Sequence, residues 1–376
     1  MDIKEKDNEY LMGCYNKRVG FDNGKGNYIF DLDGKKYLDL VGGIATCSVG
    51  HSNNKLMKII KNQSQKIINV SNLFYSIPQI NLAERLVKIS GLGACFFCNS
   101  GTEAVEAAIK LARKNTGKKK IIAMKMGFHG RTMGSLSATW NSKYKEKFLP
   151  LMEGFVHVDY NDIDNLENAI DDDTAAVIVE PIQGEGGIIV PSDDYLENIS
   201  LLCKKNKCLM IVDEIQTGNG RSGKYFCYQN FDIKPDIVCV AKGLANGLPI
   251  GAVIAKEGID FSPGDHGSTF GGNSFCCAVA LETINIIEGI NVKEKGDYFI
   301  SELKKIKSDK IIEVRGKGLM IGIEVKENGS LILDKCYKKG LIVNCIQNKI
   351  IRLLPPLTIS KKEIDSAIKV LKVALK

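Results

Sequence analysis

A large α/β domain with a mainly parallel sheet, joined to a smaller α+β lobe, is the fold that this 376-residue sequence predicts. Three observations predict it. Near the N-terminus, NYIFDLDGKKYLDLV (27–41) alternates and turns at Asp33-Gly34, a hairpin signal. From about residue 80, short apolar runs alternate with amphipathic helical patterns, the signature of a parallel sheet with helices between its strands. After about residue 285 the pattern shifts to amphipathic helices at 294–308 and 361–375, flanking strands near 311–325 and 341–354.

The middle of the chain supplies the predicted sheet, run by run. ACFFC (94–98) precedes the helical stretch TEAVEAAIKLARKN, and IIAMKM (121–126) precedes GFHGRT. AAVIVE (175–180) precedes PIQGEGG, with a helix predicted over 194–206. CLMIVDE (208–214) precedes IQTGNGRSG, and DIVCVAK (236–242) precedes GLANG. No repeats and no low-complexity tract interrupt this order.

Composition bounds the class. Hydrophobic residues make up 44% and charged residues 25%, ordinary for a soluble globular enzyme with a sizeable core. The net charge of +7 is spread along the chain without a basic block, which argues against nucleic-acid or membrane partners. The N-terminal MDIKEKDNEY carries no apolar signal core, and no run is long enough to span a bilayer, so a cytoplasmic location is expected. Twelve cysteines include Cys95-x-x-Cys98, but that pair lies in an apolar run and has no second pair at zinc-ribbon spacing. Free cysteines and no metal site are expected. His129, His157 and His266 show no metal spacing either, and His129 in the FHGR turn reads as structural.

In open parallel sheets, ligands bind beyond the carboxyl ends of the strands. Here the apolar runs end on Glu180, on Asp213 with Glu214, and on Lys242, while others open into Asn99-Ser100-Gly101-Thr102 and Phe128-His129-Gly130-Arg131. Parallel neighbours bring these groups to one crevice. Ser100 and Glu103 stand at capping-box spacing before a helix, and a helix start beside Gly101 also makes a phosphate seat. Gly218-Asn219-Gly220-Arg221-Ser222-Gly223 matches GxGxxG, but it lacks the strand–turn–helix order of a dinucleotide site and reads as a glycine loop. A carboxylate at this edge is costly to bury alone and becomes sensible beside a cationic ring nitrogen. A desolvated lysine there has a lowered pKa and attacks aldehydes. Phosphate seat, ring-nitrogen carboxylate (Asp213) and aldehyde-trapping lysine (Lys242) are the three handles of pyridoxal 5′-phosphate.

On FDLDGKKYLDLVGGIA, FCNSGTEAVEAAIKLAR, GFHGRTMGSLSAT, VEPIQGEGG, IVDEIQTGNGRSG, AKGLANGLPIGA, GSTFGGN and IRLLPPLTI, the chain resembles the class III (ω-) aminotransferases of PLP fold type I. Within them it is most similar to the acetylornithine-type branch. The resemblance implies a large domain over residues 53–284 and a small domain built from residues 1–52 and 285–376. It implies that Lys242 binds the cofactor aldehyde and then shuttles a proton, and that Asp213 pairs with the ring nitrogen. Gln216 lies near the phenolic oxygen, Phe128 stacks on the ring, and Ser100, Gly101 and Thr102 hold the phosphate. Ser268 and Thr269 reach across a homodimer interface, Thr269 to the partner's phosphate.

Two arginines stand out for a separate reason: Arg352 lies inside IIRLLPP, where an unpaired cation is costly, and Arg131 follows an apolar run at the ligand edge. The resemblance implies that Arg131 takes the far carboxylate and Arg352 the α-carboxylate of glutamate, with Glu185 silencing Arg352 when the ω-amine is bound. The implied reaction moves the δ-amino group of N2-acetylornithine to 2-oxoglutarate, giving N-acetylglutamate 5-semialdehyde and glutamate in arginine biosynthesis. Ornithine, 4-aminobutyrate, N-succinyl-diaminopimelate or a lysine-pathway amine are the alternative substrates. Asn53-Asn54 stands where relatives have His-Pro, and a local change of helix entry is expected there.

Overall fold

The computed structural model describes residues 3–326 and 328–376. The N-terminal hairpin forms as the sequence predicts. Strand β1 (Phe21–Lys25) pairs with β2 (Tyr28–Asp31), and β2 pairs antiparallel with β3 (Lys36–Asp39). The Asp31 carboxylate accepts from the amides of Asp33 and Lys35 and closes the turn, where Gly34 takes φ +80°.

The central sheet has seven strands: β4 (Ala94–Cys98), β5 (Lys120–Met124), β6 (Phe155–Val158), β7 (Thr174–Val179), β8 (Leu209–Asp213), β9 (Ile237–Val240) and β10 (Gly251–Ala255). Their spatial order is β4-β10-β9-β8-β7-β5-β6. All pairs are parallel except those of β10, which runs antiparallel to both β9 and β4. Thus β4 is not the hydrogen-bonded parallel neighbour that the sequence pattern suggests. Two reversals still leave its carboxyl end on the same edge as those of β7, β8 and β9.

Strands β7, β9 and β10 are buried at every residue, which accounts for their continuous apolar runs. The helix Gly101–Thr116 packs an alanine-rich face on the sheet through Ala104, Ala107, Ala108 and Ala112. The helix Tyr195–Lys205 falls where the sequence predicts it.

The smaller lobe draws on both chain ends. Strands β11 (Ile311–Lys317), β12 (Met320–Val325), β14 (Asn344–Ile346) and β15 (Ile350–Leu353) form an antiparallel sheet, while β13 (Leu341–Ile342) pairs in parallel with β3 of the N-terminal hairpin. The helix Val292–Lys304 packs on β11, and the helix Lys361–Ala374 packs on that helix. Asn53 is an N-cap: its side chain accepts from the Lys55 amide at 3.0 Å and opens the helix Asn54–Ser64. All twelve cysteines are unbridged. Among the described residues no single helix is long and apolar enough to cross a membrane.

Candidate active site

The carboxyl edge of the central sheet holds a cavity of about 250 Å³ lined by Gly101, Thr102, Phe128, His129, Arg131, Glu180, Glu185, Asp213, Gln216 and Lys242. Asp213 is the last residue of β8 and is 2% exposed. Lys242 lies two residues past the end of β9, not on the strand itself, and opens a short 3-10 turn. Its φ is +42°, a left-handed conformation that a lysine adopts only at a cost of about 1–3 kcal/mol. That strain lifts the side chain off the strand path into the cavity.

The electrostatics centre on four titratable groups. Burial lowers the Lys242 pKa, opposed by the carboxylates of Glu185 and Asp213 and reinforced by the Arg352 cation. Asp213 Oδ2 bonds His129 Nδ1 at 2.7 Å, and Asp213 Oδ1 accepts from the Ile215 amide at 3.0 Å. Burial works against charge on His129, but the bond to Asp213 and the charges of Asp213 and Glu180 overcome it and raise its pKa. Burial raises Glu180 to about 7. Its two oxygens accept from the amides of Phe128 (2.9 Å) and Gly184 (3.0 Å).

The helix Gly101–Thr116 starts beneath the cavity. Ser100 caps it, accepting from the Glu103 amide at 3.4 Å, but the return bond is displaced by one residue: Glu103 Oε2 accepts from the Asn99 amide, not from Ser100. A Cβ on Gly101 meets Ile215 at 2.9 Å, so no larger residue fits there without moving Ile215. Thr102 Oγ1 contacts the hydroxyls of Thr132 (2.8 Å) and Ser135 (2.6 Å) and anchors the turn that carries Arg131.

The two arginines are held differently. Arg352, on β15, is 2% exposed. It donates through Nη1 to Glu185 at 2.5 Å and to Gln216 at 3.3 Å, and through Nη2 to Asn344 at 3.1 Å. Burial pushes the Glu185 carboxyl up, but Arg352 and Lys242 more than offset it, so its pKa is lowered. Arg131 is exposed and lies over the Tyr144 ring at 3.5 Å and the Phe128 ring at 5.5 Å. Phe128 and Glu185 also line a second, larger cavity of about 1000 Å³, together with Arg352, Ile44, Trp140, Tyr144, Leu149 and Gln347.

Nine of the predicted site residues therefore line the two cavities, and Ser100 caps the helix that Gly101 opens. Ser268 and Thr269 do not meet Lys242 within the one chain. Ser268 Oγ accepts from Asn99 Nδ2 at 3.1 Å, and the Thr269 carbonyl accepts from Asn69 Nδ2 at 3.4 Å, at a separate depression. Sequence reasoning gave no role to Glu180 and read His129 as structural. A lone histidine in a glycine turn carries no periodic signal, whereas Glu180 was visible as the end of an apolar run.

The family model for class-III aminotransferases matches residues 14–375. The chain belongs to the class-III aminotransferases. It is 44% identical to an acetylornithine aminotransferase of Methanothermobacter thermautotrophicus, covering 98% of this chain and 97% of that one. An acetylornithine aminotransferase of Methanocaldococcus jannaschii is 47% identical, covering 93% of this chain and 91% of that one. Among solved class-III folds, an ornithine aminotransferase of Toxoplasma gondii, recorded with partial PLP occupancy at its active site, superposes with a TM-score of 0.96 at 30% identity, covering 99% of this chain and 93% of that one. The parallel sheet with its smaller two-ended lobe is thus the PLP fold type I that the motifs imply.

Proposed function

We propose that the protein transfers the δ-amino group of N2-acetylornithine to 2-oxoglutarate, yielding N-acetylglutamate 5-semialdehyde and glutamate, with pyridoxal 5′-phosphate as cofactor. The observation that carries this is the Arg352–Glu185 pair at 2.5 Å, whose Glu185 lines both the cavity of Lys242 and the larger cavity that Arg352 lines. An enzyme that takes an ω-amine and an α-amino acid in turn has to grip an α-carboxylate in one half-reaction and present a neutral surface in the other. A buried guanidinium with a carboxylate within reach does both. The name that the relatives carry supports the acyl substrate.

The residues fit the cofactor. The buried Asp213 carboxylate is held by His129 and the Ile215 amide, and it faces the same cavity as the Lys242 amine. When bound, pyridoxal 5′-phosphate supplies an aldehyde that captures amines and a ring that withdraws electrons from the substrate carbon. Asp213 would face the ring nitrogen, and His129 holds Asp213 in orientation through the 2.7 Å bond. The start of the helix at Ser100, Gly101 and Thr102 would seat the phosphate. Phe128 would pack on the ring face and Gln216 would sit by the phenolic oxygen. Lys242, with its pKa lowered by burial, would take a proton from the substrate carbon and return it as general acid. Arg131, stacked on Tyr144, would grip the carboxylate far from the reacting amine.

A homodimer completes the site in this reading, with Ser268 and Thr269 of a second copy closing the phosphate end. Exposed apolar side chains support it: Leu73, Phe74, Tyr75 and Ile77 are 68–97% exposed, next to Phe270 at 62%. Asn72 Nδ2 ties that stretch to the Ser268 carbonyl at 2.9 Å. A cytoplasmic place fits unbridged cysteines. A single-turnover panel of acetylornithine, ornithine, N-succinyl-diaminopimelate and 4-aminobutyrate tests the substrate. Acetylornithine is expected to give the highest rate over half-saturation; preference for another amine overturns this reading of the substrate.

A further inference from the structure

The GNGRSG loop (218–223) matches a dinucleotide pattern, yet no helix follows it, and its side chains turn inward. It leaves β8 directly after Asp213 and Gln216, and the Gly218 amide donates to the Glu214 carbonyl at 2.9 Å. Two of its side chains then reach in opposite directions. Asn219 is 2% exposed, and its Nδ2 donates to the Ala241 carbonyl at 2.9 Å. That carbonyl belongs to the peptide that ends at the Lys242 nitrogen, so Asn219 fixes the plane about which Lys242 turns to φ +42°. The Tyr225 hydroxyl donates to Asn219 Oδ1 at 3.1 Å and locks the amide in place.

Arg221 is 1% exposed and pairs with no carboxylate among the described residues. Its Nη1 donates to the Leu319 carbonyl at 3.2 Å and to the Pro355 carbonyl. Pro355 lies three residues past Arg352, just beyond β15. In return the Leu319 amide donates to the Arg221 carbonyl at 2.9 Å. A Cβ on Gly318 meets that carbonyl at 2.6 Å, so the two segments touch backbone to backbone. Burying a guanidinium on two carbonyls is costly, since Nε and Nη2 find no partner among the described residues. Surface packing alone does not call for such an arrangement.

We infer that Asn219 and Arg221 are positioning residues: one loop indexes the backbone of Lys242 from one side and that of Arg352 from the other. The loop thereby sets the span between the amine that handles the substrate carbon and the guanidinium that grips the α-carboxylate. This rests on the reading of Arg352 given above.

The test uses holoenzyme variants Asn219→Ala, Arg221→Gln and Arg221→Lys, with Arg352→Ala as reference. Single turnovers with glutamate and with acetylornithine give limiting rate and half-saturation, and the visible band of the bound cofactor is titrated with pH. Arg221→Gln is expected to raise half-saturating glutamate about tenfold, leaving the limiting rate, the acetylornithine half-saturation and the band titration within about twofold of wild type. Arg221→Lys, which keeps a donor to one carbonyl, should fall between. Asn219→Ala is expected to slow both half-reactions about tenfold and to shift the band titration, with half-saturating glutamate nearly unchanged. If Arg221→Gln does not fold, the lysine and Asn219 variants carry the same split. Equal losses in every parameter for both positions, or no change at either, overturn the inference. If Arg352→Ala leaves half-saturating glutamate unchanged, the reading of Arg352 fails; if Arg352→Ala raises it and the Arg221 variants do not, the positioning role fails.

Discussion

The floor and the mouth of the site are built on different terms. On the floor, Asp213 and Glu180 are buried at or just past strand ends, His129 is buried in the loop after β5, and the three are tied into the chain by hydrogen bonds to one another or to backbone amides. At the mouth, Arg131 is exposed and held by ring faces, and the larger cavity of about 1000 Å³ is walled by loop residues. Arg352 sits between the two, buried like the floor but paired with a Glu185 that is partly exposed and sits in a glycine loop. The difference teaches where the work of each region lies. A group that acts on the same atom in both half-reactions can be fixed once, at the ends of rigid strands. A group that meets different substrates in turn needs a partner that can let go.

Substitutions separate the two regions. The largest effect is expected from the floor. Lys242→Ala should lower turnover by at least about 10⁴-fold with every substrate, read in a steady-state assay. Asp213→Ala should follow at about 10²–10³-fold, again in both half-reactions, because it removes the carboxylate proposed to face the ring nitrogen. Near-normal turnover in either variant breaks the contrast at once. Arg352→Ala should act on one half only. It should raise half-saturating glutamate by about 10²-fold, as loss of a buried charge contact does, and leave acetylornithine within a few-fold.

A smaller effect is expected in stability. Burial raises the Glu214 carboxyl to about 7, while its oxygens accept from Thr217 Oγ1 and the Tyr228 amide. A carboxyl raised on folding favours the native state below its unfolded pKa, and that contribution is lost as pH rises toward 7. Melting curves taken from pH 5 to 7.5 should show this decline in the wild type and a flatter profile in Glu214→Gln. The smallest effect is expected away from both cavities: Asn53→Ala should cost about 1 kcal/mol in denaturant unfolding, with unchanged kinetics, as loss of an N-cap.

How much of this was legible in the sequence follows the same division. Lys242 and Asp213 could be read because each closes an apolar run, and a charge at that place is chemically conspicuous. A mainly parallel sheet was legible from the alternation of apolar runs and helical patterns, but the order of its strands was not. Strand β10 was not, because GLPIGAV reads as a glycine loop until its pairing with β4 and β9 is seen. His129 was read as structural, and nothing in FHGR announces its bond to Asp213 across 84 residues of chain. The Ser100–Glu103 pair was legible as a cap, but its reach back to Asn99 depends on side-chain geometry that spacing leaves open. Arg221 was hidden by a motif that suggests nucleotides, and only the carbonyls it meets reveal its place. Ser268 and Thr269 were assigned by resemblance alone; one chain does not bring them to Lys242.

The central claim is that Glu185 silences Arg352 for one substrate and releases it for the other. Single-turnover kinetics of Glu185→Gln with glutamate and with acetylornithine test it most directly. Freed from its carboxylate, Arg352 should favour glutamate, so the ratio of the two specificity constants should move toward glutamate by about tenfold or more. Parallel losses with both substrates, leaving that ratio where it is in the wild type, would contradict it.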